Sequence, residues 1–446
     1  MPSVPFSGQS AVDTDAKFAN TSRLLNCFLE PSENKVMLKP VLGSEDFVDL
    51  SDVFLRDMKE VNGSIYAACG GTLYKITSAG GISVMGTIVD GETEISSNNG
   101  VVTVAAGGEY YCLDGETLSQ PSGADFDAVG SVTFLGQFTI LSELDGRKVA
   151  WSAVADPTSL TALDFATAEG RDDNNLRVMA INGNLVIFKE TSREIWYQTG
   201  ADDSASAFQR LAGGVIDTGL KSRGLLVKLD QGAFFIGDDG IAYITDGISQ
   251  KPVSNRAVET AIKAGAPTRC FYYEDEGHKF ACIAFDDRPA WCLNLSTVGS
   301  GLEWHERRLG TLRNWPIVSS VKLGADWYVG TDLGNISKLS RVNADGVDPL
   351  IKTAVSKTLY VDGKRTRLAE LEFEASVGYS DASCWLRLSK DNGNTWGEQK
   401  TKEISQTGKY ALRANWRSLG QYRRVTIELN WSSDLTFKNS ARVRLA

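Results

Sequence analysis

The sequence predicts an all-β protein: a β-propeller of six or seven blades with a C-terminal antiparallel β-sandwich. Three observations point there. Glycine recurs at Gly63, Gly100, Gly136, Gly183, Gly232, Gly277 and Gly324, spaced 37, 36, 47, 49, 45 and 47 residues apart. A period of roughly 40 to 50 residues made of short strands marks propeller blades. Each of these glycines stands before an apolar strand, a second tight turn and another apolar strand. Beyond residue 350 the pattern changes to longer strands that alternate strictly between polar and apolar side chains, as a sheet does with one packed and one wet face.

Taken in chain order, residues 1–32 carry few strand signals and contain Pro2, Pro5 and Pro31. They are read as an extended N-terminal arm, with the propeller over 33–342 and the sandwich over 350–446. Within the arm, residues 20–28 are the candidate edge strand for closing the ring, a device that removes an exposed sheet edge. The repeat begins at Asn62-Gly63, runs through residues 64–69, turns at Gly70-Gly71 and returns through 72–76. Asn99-Gly100, Asn182-Gly183 and Gln231-Gly232 repeat the phrase, the last with Asp239-Gly240 at its second turn. Asn-Gly and Asp-Gly suit two-residue hairpins because those turns require positive φ. A single hairpin is too small to bury its own face, so neighbours must stack.

One short helix is expected at residues 257–264, ended by Gly265 and Pro267. Residues 343–349 read as a polar linker. The alternating strands of the last domain lie at 369–374, 385–388, 425–429 and 441–445.

A chain of 446 residues with 42% hydrophobic and 23% charged side chains has the composition of a globular protein rather than a disordered one. No apolar run approaches the roughly 20 residues of a membrane helix, and the first ten residues lack a basic-then-apolar leader. The seven cysteines are odd in number and show no zinc-ligand spacing, so they are read as buried thiols of a protein folded in a reducing cytoplasm. Charge is uneven. Residues 351–446 hold 17 Lys and Arg against 10 Asp and Glu, leaving 29 basic and 46 acidic side chains in the other 350 residues. An acidic body lacks the basic footprint of a simple nucleic-acid binder. It suits a wall that nucleic acid passes without sticking; an ordinary acidic protein with a slightly basic last domain fits the same counts.

The sharpest local motif is Ser389, Asp391, Gly393, Thr395 and Trp396, an Asp-box pattern that resembles hairpin turns of sialidases and related propellers. Its physics is that of a self-contained turn, with a carboxylate accepting backbone N–H groups and a glycine at positive φ. A sialidase also needs gathered arginines and an activated tyrosine, which nothing in the sequence gathers. Asp172-Asp173, Asp202-Asp203, Asp238-Asp239 and Asp286-Asp287 read as blade-rim turns, with calcium binding as the minor alternative. His278 and His305 are the only histidines and read as surface or rim residues. Trp196, Trp291, Trp304, Trp315 and Trp327 fall mostly at strand positions, where blade core is the commoner use. No nucleophile elbow, phosphate-binding glycine loop or paired-histidine metal motif occurs. The expectation is therefore no catalytic residue, no cofactor and no metal.

At the level of whole segments the chain resembles the packaged-DNA stabilisation proteins of short-tailed bacteriophages, components of the tail tube also called tail hub or nozzle proteins. Three stretches carry the likeness: residues 65–75 with their Cys-Gly-Gly-x-Leu-Tyr-Lys core; residues 193–200 followed by an Ala/Ser-rich loop and Gly213-Gly214; and the end of the chain, from residues 386–397 to 416–424. It covers about residues 26–445. The resemblance implies a mechanical role in the virion tail, with assembly in the host cytoplasm and no membrane in the assembled tail. Six copies would form a ring beneath the portal and its adaptor ring, retain the genome together with a plug or needle, and conduct double-stranded DNA outward. Identical subunits in a closed ring meet head to tail through two different patches. The propeller flanks are expected to make those contacts. The basic sandwich would meet the adaptor or tail fibres, with Trp416, Arg417, Arg423 and Arg424 as candidate docking residues. The alternative from the residues themselves is a carbohydrate-binding or glycoside-hydrolysing propeller.

Overall fold

The computed structural model describes residues 3–445 except 12–19, 34, 51–53, 201–206, 311 and 361–363. Seven antiparallel four-strand units follow one another along the chain. Five are separate sheets, over residues 55–87, 93–119, 129–167, 175–216 and 226–252. Then come 267–307 within a ten-stranded sheet and 317–340, whose fourth strand is Gly43–Asp49, within a six-stranded one. They are blades 1 to 7 here. Each repeat glycine falls in a different blade, at the turn from its first to its second strand in all but blade 5, which makes seven blades. Asn62-Gly63, Asn99-Gly100 and Asn182-Gly183 each form the two-residue loop of a hairpin, with Val61↔Ser64, Asn98↔Val101 and Ile181↔Asn184 as flanking pairs. Both residues of each pair have positive φ, from 47° to 84°, the conformation these hairpins demand. Blade 5 differs: Asp230 and Gln231 make the turn, and Gly232 is the first strand residue at φ 116°. A Cβ there would lie 2.2 Å from the Thr245 carbonyl oxygen.

Ring closure corrects the sequence reading. The outer strand of blade 7 is Gly43–Asp49, paired antiparallel with Asn335–Ser340 from Ser340↔Gly43 to Asn335↔Asp49. Residues 20–28 act elsewhere. Arg23–Leu25 adds in parallel to Trp304–Arg307, the outer strand of blade 6, and antiparallel to Lys352–Val355 of the sandwich. One ten-stranded sheet thus runs from blade 6 into the sandwich. The Arg23–Glu306 ion pair, at 2.6 Å, sits on this seam.

The arm boundary at residue 32 also moves. Ser3–Pro5, Cys27–Ser32 and Lys35–Pro40 belong to a sandwich sheet, the first and last pairing with Phe437–Leu445. Phe6 enters the sandwich core, its ring edge-on to Phe373 at 4.8 Å. The apolar residues of the N-terminal segment explain this placement, since only a packed face repays the entropy of ordering them. The expected linker at 343–349 is instead a small hairpin, Ala344–Asp345 with Asp348–Pro349, attached to the closing strand through Asp345↔Ser44.

The helix spans Arg256–Ala264, capped by the Asn255 side chain accepting from the Val258 N–H at 3.0 Å. It buries Ala257, Val258, Ala261 and Ile262 against Phe234, Ile236 and Ile283 of blades 5 and 6. Trp196, Trp291, Trp304 and Trp315 are buried, as expected of strand tryptophans.

Candidate functional site: the propeller axis and the arginine end of the sandwich

A propeller's inner strands leave backbone groups on their axial edge without strand partners, and buried groups of that kind must be satisfied. Here side chains of the neighbouring blade do it. Asp57 of blade 1 accepts from the Ile95 N–H of blade 2 at 2.9 Å and from Ser319 Oγ of blade 7 at 2.9 Å. Ser319 Oγ in turn accepts from the Met58 N–H. Ser131 of blade 3 receives the Val178 N–H of blade 4, and Ser320 of blade 7 receives the Tyr272 N–H of blade 6. Blade is stitched to blade around the axis.

Two charged residues extend this belt over four consecutive blades. Glu94 of blade 2 accepts from Arg177 of blade 4, Nε at 2.9 Å and Nη2 at 2.8 Å, both on Oε1. Its Oε2 accepts from Ser131 Oγ and, at 3.2 Å, from the Val132 N–H. Arg177 Nη1 donates onward to the Leu226 carbonyl of blade 5 at 2.7 Å. Both carboxylate oxygens of Glu94 are engaged, as are both of Asp57, whose pKa burial raises. Asp57, Glu94 and Arg177 each stand six residues before their repeat glycine. That shared position is the signal that would have found them in the sequence. The axial cavity they line is about 460 Å³ and of mixed sign, with Lys59, Lys228, Arg269 and Lys322 beside the acids. A space of that size is far too small for a duplex.

The Asp-box residues form one turn between Ala382–Ser389 and Lys400–Ser405. Asp391 accepts from the Thr395 N–H at 2.8 Å, from Thr395 Oγ1 at 2.6 Å and from Ser389 Oγ at 2.7 Å. Gly393, at φ 81°, donates to Ser389 Oγ. These donors hold the Asp391 carboxyl well below the usual carboxylate range, with the Thr395 hydroxyl first among them. Trp396 is half-buried, with the Arg387 guanidinium 5.6 Å from its ring centre.

The four candidate docking residues separate. Trp416 is buried in the sandwich core, its Nε1 donating to the Lys400 carbonyl at 3.0 Å, so it offers no surface to a partner. Its strand, Ala414–Arg417, alternates, and Trp416 falls on the packed face. Arg417 is exposed and pairs with Glu370 at 3.2 Å. Arg423 and Arg424 are exposed, and among the described residues neither has an ion-pair partner. Beside them opens a crevice of about 520 Å³ between the two sandwich sheets. Its walls are apolar (Val4, Leu359, Leu368, Val425, Val443 and Leu445), and Arg423, Arg424 and Arg444 stand on its rim.

His278 and His305 are buried rather than at the rim. His278 hydrogen-bonds Glu30 at 2.8 Å, and His305 sits beside the Phe28 and Phe280 rings. All seven cysteines are buried and free. Among the acidic pairs, Asp173 binds Lys189 and the Thr191–Ser192 turn, Asp239 accepts from Ile241 N–H and Tyr243, and Asp287 pairs with Arg288. Asp202-Asp203 lies outside the described residues. Among the described residues no group of three or more metal-ligating side chains converges, and no helix is long and apolar enough to cross a membrane.

No curated protein matches the chain. Solved structures that are similar include the extracellular domain of a putative one-component system from B. thetaiotaomicron, at 8% identity and TM-score 0.49, covering 88% of this chain and 62% of that one. BamB from Moraxella catarrhalis gives 9% identity and TM-score 0.40, covering 76% and 96%. The computationally designed Ika8 protein gives 10% and 0.41, covering 66% and 99%. Likenesses this loose carry no functional argument. The family comparison does. Residues 6–342 match the phage stabilisation family described as bacteriophage P22 Gp10, β-propeller, and residues 353–427 match bacteriophage P22 Gp10, β-sandwich. With both domains matched in order over nearly its whole length, the chain belongs to the P22 Gp10 family of phage stabilisation proteins, structural components of the virion.

Proposed function

We propose that the chain is a ring-forming component of a phage tail, six copies closing beneath the portal and its adaptor, that retains packaged DNA and later conducts it outward. The acidic body carries this reading: 46 acidic against 29 basic side chains over 350 residues. A cationic wall would hold each phosphate it faced through counterion release, whereas an anionic one leaves the duplex mobile. The conduit is the lumen enclosed by the ring of copies, because the cavity on each subunit's own axis, about 460 Å³, has no room for a duplex. The continuous sheet from blade 6 into the sandwich supports a rigid subunit that transmits load between ring and neighbours.

The test is DNA retention. Particles packaged in cells lacking this chain are expected to lose nuclease protection of their genome after head completion, and purified chain added to filled heads should restore it. Equal protection with and without the chain would refute the reading.

A further inference from the structure

The arginine-rimmed crevice of the sandwich has two properties that together define what fills it. Its walls are the inner faces of two sheets, ending in Tyr360, 68% exposed, and Leu445, 46% exposed. Its surround is cationic and only partly neutralised, Arg444 on the rim reaching Glu370 at 3.6 Å. Lys364, Arg365, Arg367 and Arg423 are exposed and have no ion-pair partner among the described residues, whereas Arg413, Arg417 and Arg442 on the adjoining sheet face pair with Glu370 or Glu372. Duplex DNA would meet the cations but has no protruding apolar group for the crevice. A protein surface with an apolar projection among carboxylates satisfies both.

Such a surface exists on the chain itself. The outer strand of blade 3, Asp156–Thr167, loses register with its neighbour twice, between Ala150 and Ala153. Residues 161–163 stand out from the edge there, with Leu163 78% exposed. Asp127, Asp156 and Glu169 are exposed on or beside the same blade. Blade 3 is three blades from blade 6, which carries the sandwich; in a ring of seven, no blade is farther. A complementary pair of patches on opposite sides of one subunit is what a head-to-tail ring requires.

We propose that the crevice of one copy receives the Leu163 projection of the next, with the arginine rim facing the acidic surround of blade 3. This inference rests on the ring reading and assigns its subunit contact. It differs from the expectation that the sandwich serves only an adaptor or fibre.

The test uses assembled tails from virions whose chain carries Tyr360→Cys together with Leu163→Cys. The seven native thiols are buried, so oxidative or bismaleimide cross-linking reports the introduced pair. The expected result is a ladder from two to six copies on a non-reducing gel, absent from either single variant. Charge reversal by Arg423→Glu with Arg424→Glu should remove the ladder. No ladder from tails that image as sixfold rings would overturn this contact and leave the ring standing. A cross-link from position 360 to another protein or to DNA would also overturn it. Tails with no ring would overturn the ring reading and this contact together. If the cysteine variants do not assemble, carbodiimide coupling of wild-type tails mixed from two isotopic labels decides. Lys364 joined to Asp127, Asp156 or Glu169 across copies is expected, and its absence would sink the proposal.

Discussion

Arg177 Nη2 lies 2.8 Å from Glu94 Oε1, joining blade 4 to blade 2 past blade 3 while Nη1 reaches the Leu226 carbonyl of blade 5. One guanidinium ties three of the seven blades. Both partners are largely buried, at 19% and 15% side-chain exposure. Removing one leaves the other charge without compensation. Arg177→Met is therefore expected to lower unfolding free energy by about 3 kcal/mol, while Arg177→Met with Glu94→Gln should recover much of the loss. Denaturant melts of the two variants check this; equal losses would mean the pair is not coupled.

The ring closes on Gly43. A Cβ at that position would stand 2.3 Å from the Ala344 carbonyl oxygen and 2.4 Å from that of Val342, both backbone atoms that cannot step aside cheaply. Gly43→Ala is expected to cost about 2 kcal/mol. It should also raise amide exchange in Gly43–Asp49 and Asn335–Ser340 before the other blades. Uniform exchange across the propeller would argue against closure at this strand.

Lys352 gives a pH signature. Its ammonium is buried and donates to Asn343 Oδ1 at 2.8 Å, and burial lowers its pKa from 10.5 to about 8. Between those values the unfolded chain binds the proton and the folded chain does not, so this residue's contribution to stability rises with pH and is lost as pH falls towards 8. Lys352→Met removes the dependence. The stability of wild type relative to Lys352→Met should climb from pH 7 to pH 10; a constant difference would mean the ammonium keeps its ordinary pKa in the fold.

Asp391 predicts the opposite edge of the pH scale. Its pKa is depressed by the hydrogen bonds it accepts, so the turn keeps their stabilisation above the ordinary carboxylate range and loses it only as pH falls through the lowered value. Asp391→Ala should open residues 389–397 to protease at neutral pH while the propeller stays resistant. Unchanged cleavage would show that the turn holds without its carboxylate.

The parts legible in the sequence were those set by local geometry. Asn62-Gly63 and its counterparts announce hairpins because positive φ is a demand on the residue itself; the choice between six and seven blades came only from the strand pairing. The alternation of residues 425–429 likewise announced a strand, although its polar face, Thr426 and Glu428, is buried as well and not wet. What stayed hidden was set by distant partners. Gly43–Asp49 closes a sheet with residues nearly 300 positions away, and no local pattern says so. Trp416 sits beside arginines in sequence and points into the core in space. Asp57, Glu94 and Arg177 share a repeat position, yet their chemistry appears only when the inner strands face a common axis.

The most direct test of the account is an image of the virion tail that resolves this chain with the packaged DNA in place. Six copies in a closed ring, with duplex density in the shared lumen against acidic surfaces and none along any propeller axis, is the predicted result. A chain bound singly, or DNA held against the arginine end of the sandwich, would contradict it.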